Sequence, residues 1–548
     1  MASLNPTQYG RYGHPISLGA DQESTSTPPV PPSEEERRGY FHGLPSSPLL
    51  VARSSAAAWS RLNYSGSPEK KKMAVATGHA IQQPWNEPNS PLQGSIMKAL
   101  ENLNWTAIDI LSIRFNKHLT GEKVGQVTML FTVPENSTTF NQGYEAVCTC
   151  KSILENMGLG DVEVEMKEGK LFRSISAPLS PPEGVQGQQP LPLHNGRLLP
   201  GPLASVADYK YRFNFTEYIG TNIAALDNRQ KEGTKGLYLR DSQDSTTTYA
   251  LTCRHVAYNK EQPVDNSQVK QESPEITQPG QITFDDMQSS FQTEDKELFR
   301  VIHGSHGGNV QKETYLEQQQ LNKINFTKLQ AYKPLFEDQR ADQKFSAFGH
   351  VDFSPPFRVS EGRLMDWALV KLVQDKHTTE LSQLRNKLPV TGLFGEILES
   401  KGVYDTIGFQ LNSEVTIGPD VMSLKDLEAE IQAGDSPRGL IGMMHGGKSG
   451  FSIGSINGIR SVVRESIDGA LFTSQAWCTI GLDDSAFSKC GDSGSVIFDI
   501  HGRVMLLLTS GVRRNNSNTT EVDTAYSTPL VSVLHDMRSY GYGLDLAC

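Results

Sequence analysis

The segment KCGDSGSVIFD, residues 489–499, carries the residue types that nucleophilic acyl transfer needs at one tight turn. A serine attacks a carbonyl group when a neighbouring base takes its proton and when N–H groups face the oxyanion that forms. Gly491 can turn its N–H inward because it has no Cβ. Ser493 would supply the nucleophilic hydroxyl and a second N–H. We therefore predict an oxyanion hole made by Gly491 and Ser493.

A base and a carboxylate precede this serine in the chain. TTTYALTCRHV, residues 246–256, places His255 after an apolar strand, and MDWALVKL, residues 365–372, places Asp366 ahead of another. An imidazole can take the serine proton, and a carboxylate holds the imidazole in the correct tautomer. Each residue alone has an ordinary structural explanation, a buried histidine or an aspartate at a turn. Together, and in this order, they predict His255, Asp366 and Ser493 as a catalytic triad.

Short strands separated by turns must position these three residues. From about residue 206 to the end the chain alternates such segments without strand–helix–strand repeats, which predicts a mainly β barrel architecture. A polar, partly helical stretch at about 258–340 interrupts the pattern and is predicted to be an insertion. The chain ends in PLVSVLHDMRSYGY, residues 529–542, whose apolar spacing predicts a C-terminal helix.

The chain before residue 206 has a different character. Residues 1–95 are rich in Ser, Pro and charge, so we predict a disordered tail. Residues 96–177 show two strand patterns, a helix pattern and a further strand, VEVEMKEGKLF, which predicts a small α+β domain. A Pro- and Gly-rich linker at 178–205 follows, and 206–548 is the predicted catalytic domain.

A family resemblance is visible at this point. GDSGS, residues 491–495, resembles the nucleophile loop of chymotrypsin-like serine proteases, and the order His, Asp, Ser is the order of that family. The resemblance covers residues 209–548 and implies a chymotrypsin-like double β-barrel with serine endopeptidase activity. FGHVDFSPP, residues 348–356, followed by DWALVKL is similar to fungal intracellular trypsin-like proteins related to the yeast amino-acid-sensor processing protease.

The same resemblance implies a substrate pocket. Phe487 matches the base of that pocket, where trypsin has aspartate and chymotrypsin a small residue, so no cleavage preference is predicted. Thr509, Ser510 and Gly511 match the pocket wall, which pairs with the substrate backbone. Cys490 lies outside the GDSG turn, so a cysteine nucleophile is the weaker alternative.

Composition limits the partners of this chain. Its 62 acidic and 51 basic residues give a net charge of -11, which argues against nucleic-acid or membrane-surface binding. With no signal peptide, no membrane-spanning apolar run and six cysteines, we expect a cytoplasmic protein, with a nuclear location left open. The expected partner is a protein or peptide substrate, and a regulatory protein could contact the N-terminal domain. No cofactor and no metal ion are predicted.

Two functional classes stay open at this stage. The first is an active endopeptidase, with a cut in its own chain between the linker near 180–205 and the barrel as a further option. The second is a binding or signalling scaffold that keeps the protease fold with little or no turnover, since fold alone does not determine function.

Overall fold

The architecture is mainly β, with many strands arranged in sheets and helices between them. A computed structural model of the 548 residues describes residues 30–62, 65–116, 123–173, 197–203, 205–244, 246–258, 273–303, 312–337, 347–390, 392–402, 414–418, 420–433, 439–482, 485–515 and 519–547. Residues Pro32–Cys548 belong to one compact unit.

The strands, in chain order, are β1 Leu50–Arg53, β2 Lys72–Ala74, β3 Ala107–Asn116, β4 Lys123–Val133, β5 Glu163–Glu168, β6 Lys170–Phe172, β7 Asn222–Ala225, β8 Glu232–Thr234, β9 Leu237–Asp241, β10 Thr248–Thr252, β11 Glu275–Thr277, β12 Gly349–Phe353, β13 Arg358–Ser360, β14 Arg363–Met365, β15 Ala368–Leu372, β16 Lys387–Pro389, β17 Glu414–Thr416, β18 Leu440–Gly446, β19 Gly450–Ile456, β20 Ser461–Ile467, β21 Ala470–Gly481, β22 Val496–Phe498, β23 Val504–Arg513, β24 Thr524–Pro529 and β25 Leu544–Leu546. The α-helices are α1 Glu34–Gly39, α2 Gln82–Asn86, α3 Pro91–Ala99, α4 Phe140–Asn156, α5 Val206–Arg212, α6 Arg254–Ala257, α7 Gln281–His303, α8 Lys312–Gln330, α9 Pro334–Glu337, α10 Gly392–Ser400, α11 Leu424–Ala433 and α12 Leu530–Ser539.

An eight-stranded sheet carries the segments predicted to hold the histidine and the aspartate. Its strand order is β25-β9-β10-β15-β12-β11-β7-β8, so it is an open sheet. The predicted insertion at about 258–340 contributes α7 and α8 in its described part, and Met287 and Phe291 of α7 are buried in the same core as the sheet. The insertion therefore packs on the sheet through one apolar face of α7.

A ring of six strands carries the segment predicted to hold the serine. β18 pairs with β19 and β22, β19 with β21, β22 with β23, and β23 with β24. β24 pairs back with β21, so the pairings return to their starting point. The predicted C-terminal helix is present as α12, which follows β24 directly.

The region predicted as a small α+β domain shares a sheet with this ring. β3 and β4 pair antiparallel, β4 and β5 pair parallel, and α4 connects β4 to β5, as the predicted order requires. Val462 and Val463 of β20 pair with Ile108 and Ala107 of β3. The result is one 13-stranded sheet that runs from the N-terminal region into the region predicted to be catalytic.

Buried polar groups hold these two regions together. Lys167 Nζ of β5 lies 3.0 Å from Asp523 Oδ2, and both side chains are fully buried. Asp109 of β3 accepts hydrogen bonds from Tyr526 and Ser461. Breaking one partner of such a buried pair leaves an uncompensated charge, which is strongly destabilising. The contact between the two regions is therefore specific as well as extensive.

The first hundred residues differ from the prediction of a disordered tail to residue 95. Residues 1–29 lie outside the described part, but α1, α2, β1 and β2 lie within the predicted tail. Phe41, Ile81 and Trp85 are fully buried there, and Trp85 Nε1 donates to the carbonyl oxygen of Arg460 at 2.8 Å. A few large apolar residues among Ser and Pro are buried against distant segments, which local composition does not reveal. Among the described helices, none is both long enough and apolar enough to cross a membrane.

Candidate active site

His255 and Asp366 meet because the strands that carry them are neighbours. β10 and β15 pair antiparallel with Thr252 opposite Ala368, so the end of one strand lies beside the start of the other. His255 lies in α6, directly after β10, and Asp366 lies just before β15. His255 Nδ1 lies 2.5 Å from Asp366 Oδ2, and the backbone N–H of His255 donates to Asp366 Oδ1 at 3.2 Å. The predicted pair is therefore formed.

Burial determines the electrostatics of this pair. Burial lowers the pKa of His255, and the negative charge of Asp366 opposes that shift without cancelling it. Burial acts to raise the pKa of Asp366, but the charge of His255 and their hydrogen bond hold it below its ordinary value. His255 Nε2 is buried and has no hydrogen-bond partner among the described residues. A neutral imidazole in this state has one nitrogen ready to accept a proton.

The pKa of His255 leads to a prediction about pH dependence. General-base catalysis requires the neutral imidazole, which protonation removes. Because the pKa of His255 lies below its ordinary value of about 6.5, the imidazole stays neutral to lower pH. We expect the rate at which a fluorophosphonate labels Ser493 to fall with decreasing pH with a midpoint below about 6.5. A midpoint at or above that value in the folded protein would contradict the burial argument.

Two glycines shape the loop that carries Ser493. Gly491 has φ +105° and Gly494 has φ +93°, a region of backbone space that residues with a Cβ rarely adopt. A Cβ on Gly494 would also lie 2.4 Å from the carbonyl oxygen of Thr234 and 2.5 Å from Thr252 Oγ1. Thr252 ends the strand that leads to His255. The close contact at Gly494 therefore places the serine loop against the histidine strand.

Asp492 anchors the same loop from inside. Its Oδ1 accepts hydrogen bonds from the N–H groups of Lys448 and Ser449 at 2.8 and 3.0 Å, and its Oδ2 accepts one from the N–H of Lys489 at 2.7 Å. The residue is fully buried. Burial raises the pKa of Asp492, although these three hydrogen bonds favour the ionised form. The carboxylate is thus satisfied by backbone groups.

The hydroxyl of Ser493 is directed to the predicted pocket wall. Ser493 Oγ donates to the carbonyl oxygen of Thr509 at 3.0 Å, and no hydrogen bond joins it to His255 among the described contacts.

Within the described chain, the N–H groups of Gly491 and Ser493 have no hydrogen-bond partner. Two unpaired N–H groups beside a serine are what an oxyanion hole requires.

The predicted wall is occupied by a strand of the same chain. β6 pairs antiparallel with β23, with Phe172 opposite Gly511 and Leu171 opposite Val512. The guanidinium of Arg513 lies 4.2 Å from the centre of the Phe172 ring. Ser493 is fully buried, and Thr509 and Ser510 are buried as well. β6 therefore pairs with one of the three predicted wall residues, Gly511.

Sequence reasoning did not find β6. VEVEMKEGKLF was predicted as one strand, but the structure divides it at Gly169 into β5 and β6, which pair with different partners. β6 and β23 are more than 300 residues apart in the chain, and no local pattern identifies such a pair.

Phe487, the predicted pocket base, is buried in the apolar core of the six-strand ring with Ile456 and Trp477. Its role in a pocket stays a prediction.

One set of described side chains is close enough to hold a metal ion. Candidate ligand atoms of Cys253, His255 and Asp366 lie within 4.8 Å of one another. Burial raises the pKa of Cys253 well above its ordinary value, and its Sγ donates to the carbonyl oxygen of Leu508 at 3.3 Å. A metal ligand must be a thiolate, so a buried neutral thiol fits poorly. Of these side chains, Asp366 is better suited to orienting His255 than to binding a metal ion.

Comparison with known proteins adds no assignment. No protein-family model matches the chain, and no curated protein matches it in sequence.

Proposed function

We propose that this chain is a serine endopeptidase of the chymotrypsin-like class, built as a double β-barrel. The observation that carries the proposal is the buried His255–Asp366 pair, at 2.5 Å with Nε2 unpartnered, next to a glycine-framed loop that carries Ser493. The closed ring of six strands supports one barrel of this proposal. The eight-stranded sheet that carries His255 and Asp366 is open, and it would correspond to the second. This arrangement has the parts that acyl transfer from a peptide bond requires.

In the proposed reaction, Ser493 Oγ leaves Thr509 and turns to His255 Nε2. Oγ attacks the substrate carbonyl carbon while Nε2 takes the hydroxyl proton, and Asp366 stabilises the imidazolium. The N–H groups of Gly491 and Ser493 bind the oxyanion of the tetrahedral intermediate. His255 then gives the proton to the leaving amine, and the C–N bond breaks to leave an acyl-enzyme. Water, deprotonated by His255, hydrolyses the ester and restores Ser493.

We propose that the first substrate is the chain itself, cut on the C-terminal side of β6. β6 enters the cleft along the predicted substrate-binding wall, and the chain continues from Arg173 towards the Pro- and Gly-rich linker. An intramolecular substrate strand is held at high effective concentration next to the nucleophile. The cut we expect lies between Arg173 and residue 205.

Labelling with a fluorophosphonate probe tests the proposed activity. We expect the parent to be labelled on Ser493 and Ser493→Ala to remain unlabelled, because the probe reacts only with an activated serine. Ser532→Ala is the matched control, since Ser532 of α12 is also buried and its hydroxyl has no described partner. Absence of labelling in a parent that folds normally and stays uncut would support the scaffold alternative.

A further inference from the structure

Arg173 directly follows β6 and lies beside the predicted catalytic pair. After burial and the mutual interaction of His255 and Asp366, the positive charge of Arg173 is the next influence that lowers the pKa of each. Its side chain is 14% exposed, so it does not extend into solvent. The residue was not among those singled out from sequence.

Two side chains bind the guanidinium of Arg173. Arg173 Nε donates to Glu465 Oε1 of β20 at 2.7 Å, and the guanidinium lies 4.2 Å from the centre of the Phe357 ring. A carboxylate together with an aromatic face is a combination that selects arginine, because the planar guanidinium can stack and donate at the same time. We call Glu465 and Phe357 the arginine subsite.

The subsite is unfavourable without a cation. Burial raises the pKa of Glu465, the charge of Arg173 opposes that shift, and the negative charge of Asp366 adds to it. If β6 left this position, Glu465 would lose its ion pair with Arg173 and would still be affected by the negative charge of Asp366. A buried charge without a partner is costly, so the emptied cleft favours a substrate that returns a positive charge to this position.

The register of β6 defines which substrate residue this is. Phe172 pairs with Gly511, which is the last observed pair of β6 and β23. A substrate strand that extended this register by two residues would place arginine opposite Ser510 and its next residue opposite Thr509. The carbonyl oxygen of Thr509 is the one that Ser493 Oγ contacts. The residue opposite Thr509 is thus the one next to the nucleophile, and the arginine precedes it.

We propose that Glu465 and Phe357 determine substrate specificity by binding an arginine side chain one residue before the residue whose carbonyl is attacked. Substrates are then extended segments in which arginine occupies the second position on the N-terminal side of the cut. The inference rests on the proposed protease activity and adds the substrate class.

Matched peptides test the subsite with the full-length protein. The parent peptide copies residues 167–178, KEGKLFRSISAP, between a fluorophore and a quencher, and its variant has glutamine at the arginine position. We expect kcat/KM to favour the arginine peptide by about 10- to 100-fold, the range of a charge-assisted contact. The ratio is taken on one enzyme preparation, so the fraction of protein with β6 still in the cleft cancels.

Glu465→Gln should bring this ratio close to one, and Glu361→Gln should leave it unchanged. Glu361 is exposed and pairs with Arg363, so it controls for loss of an acidic residue. Glu465→Arg should prefer a third peptide with glutamate at the same position. Probe labelling of Ser493 with equal cleavage of the arginine and glutamine peptides would overturn the subsite and leave the protease. No labelling and no cleavage of any peptide would overturn both.

Discussion

Ser493→Ala is expected to keep the chain intact where the parent is cut between Arg173 and residue 205. Loss of the nucleophile lowers the rate of acyl transfer by about 10³-fold or more, because the remaining groups only bind and polarise the carbonyl. Intact mass spectrometry of the purified proteins measures the result directly, and the fragment masses locate the cut.

Two further results would show whether Ser493 itself cuts the chain. Ser532→Ala should be cut like the parent, since its hydroxyl has no part in the site. If Ser493→Ala were cut as fast as the parent, another protease or another residue would be responsible. If a parent labelled by the probe stayed uncut, the endopeptidase proposal would stand and the self-processing proposal would be wrong.

Loosening β6 is expected to make Ser493 more reactive to solvent-borne probes. In the structure Ser493 is fully buried and Phe172 is 9% exposed against β23 and Arg513. The double substitution Phe172→Ala, Arg173→Ala removes the ring, the stacked guanidinium and the ion pair with Glu465. Truncating a buried phenylalanine alone removes about 3–5 kcal/mol of packing. The rate of fluorophosphonate labelling should therefore rise about 10-fold or more, even if strand pairing retains part of that energy.

The control for this experiment lies on the same strand. Lys170 is exposed, so Lys170→Ala keeps the backbone pairing and should leave the labelling rate near that of the parent. Labelling rates should be compared between preparations with the same fraction of cut chain, with Ser493→Ala as the background. An unchanged rate in the double variant would mean that β6 does not limit access to the serine.

The candidate site was predictable where local pattern and chemistry coincide. His255 and Asp366 stand at the ends of apolar segments, and those segments are the paired strands β10 and β15. GDSGS demands glycine at both sides of the serine, and the structure shows positive φ at Gly491 and Gly494. Wherever a residue type is required by backbone geometry at one turn, sequence alone can find it.

Other features depend on contacts that sequence does not encode locally. The close approach of Gly494 to Thr234 and Thr252 joins segments about 240 to 260 residues apart, and it brings the serine loop to the histidine strand. The packing of Trp85 depends on a distant segment, since its Nε1 donates to the carbonyl oxygen of Arg460, just before β20. Glu465 stands in a strand of mixed composition, and only its contact with Arg173 distinguishes it from an ordinary exposed glutamate.

The backbone hydrogen bonds to Asp492 bear on when such an enzyme becomes competent. Here Lys448, Ser449 and Lys489 supply their own N–H groups within the fold. In the protease that we propose, these bonds would hold the loop of Ser493 in place once the chain has folded. Access of substrates to Ser493 would then control the activity of such an enzyme.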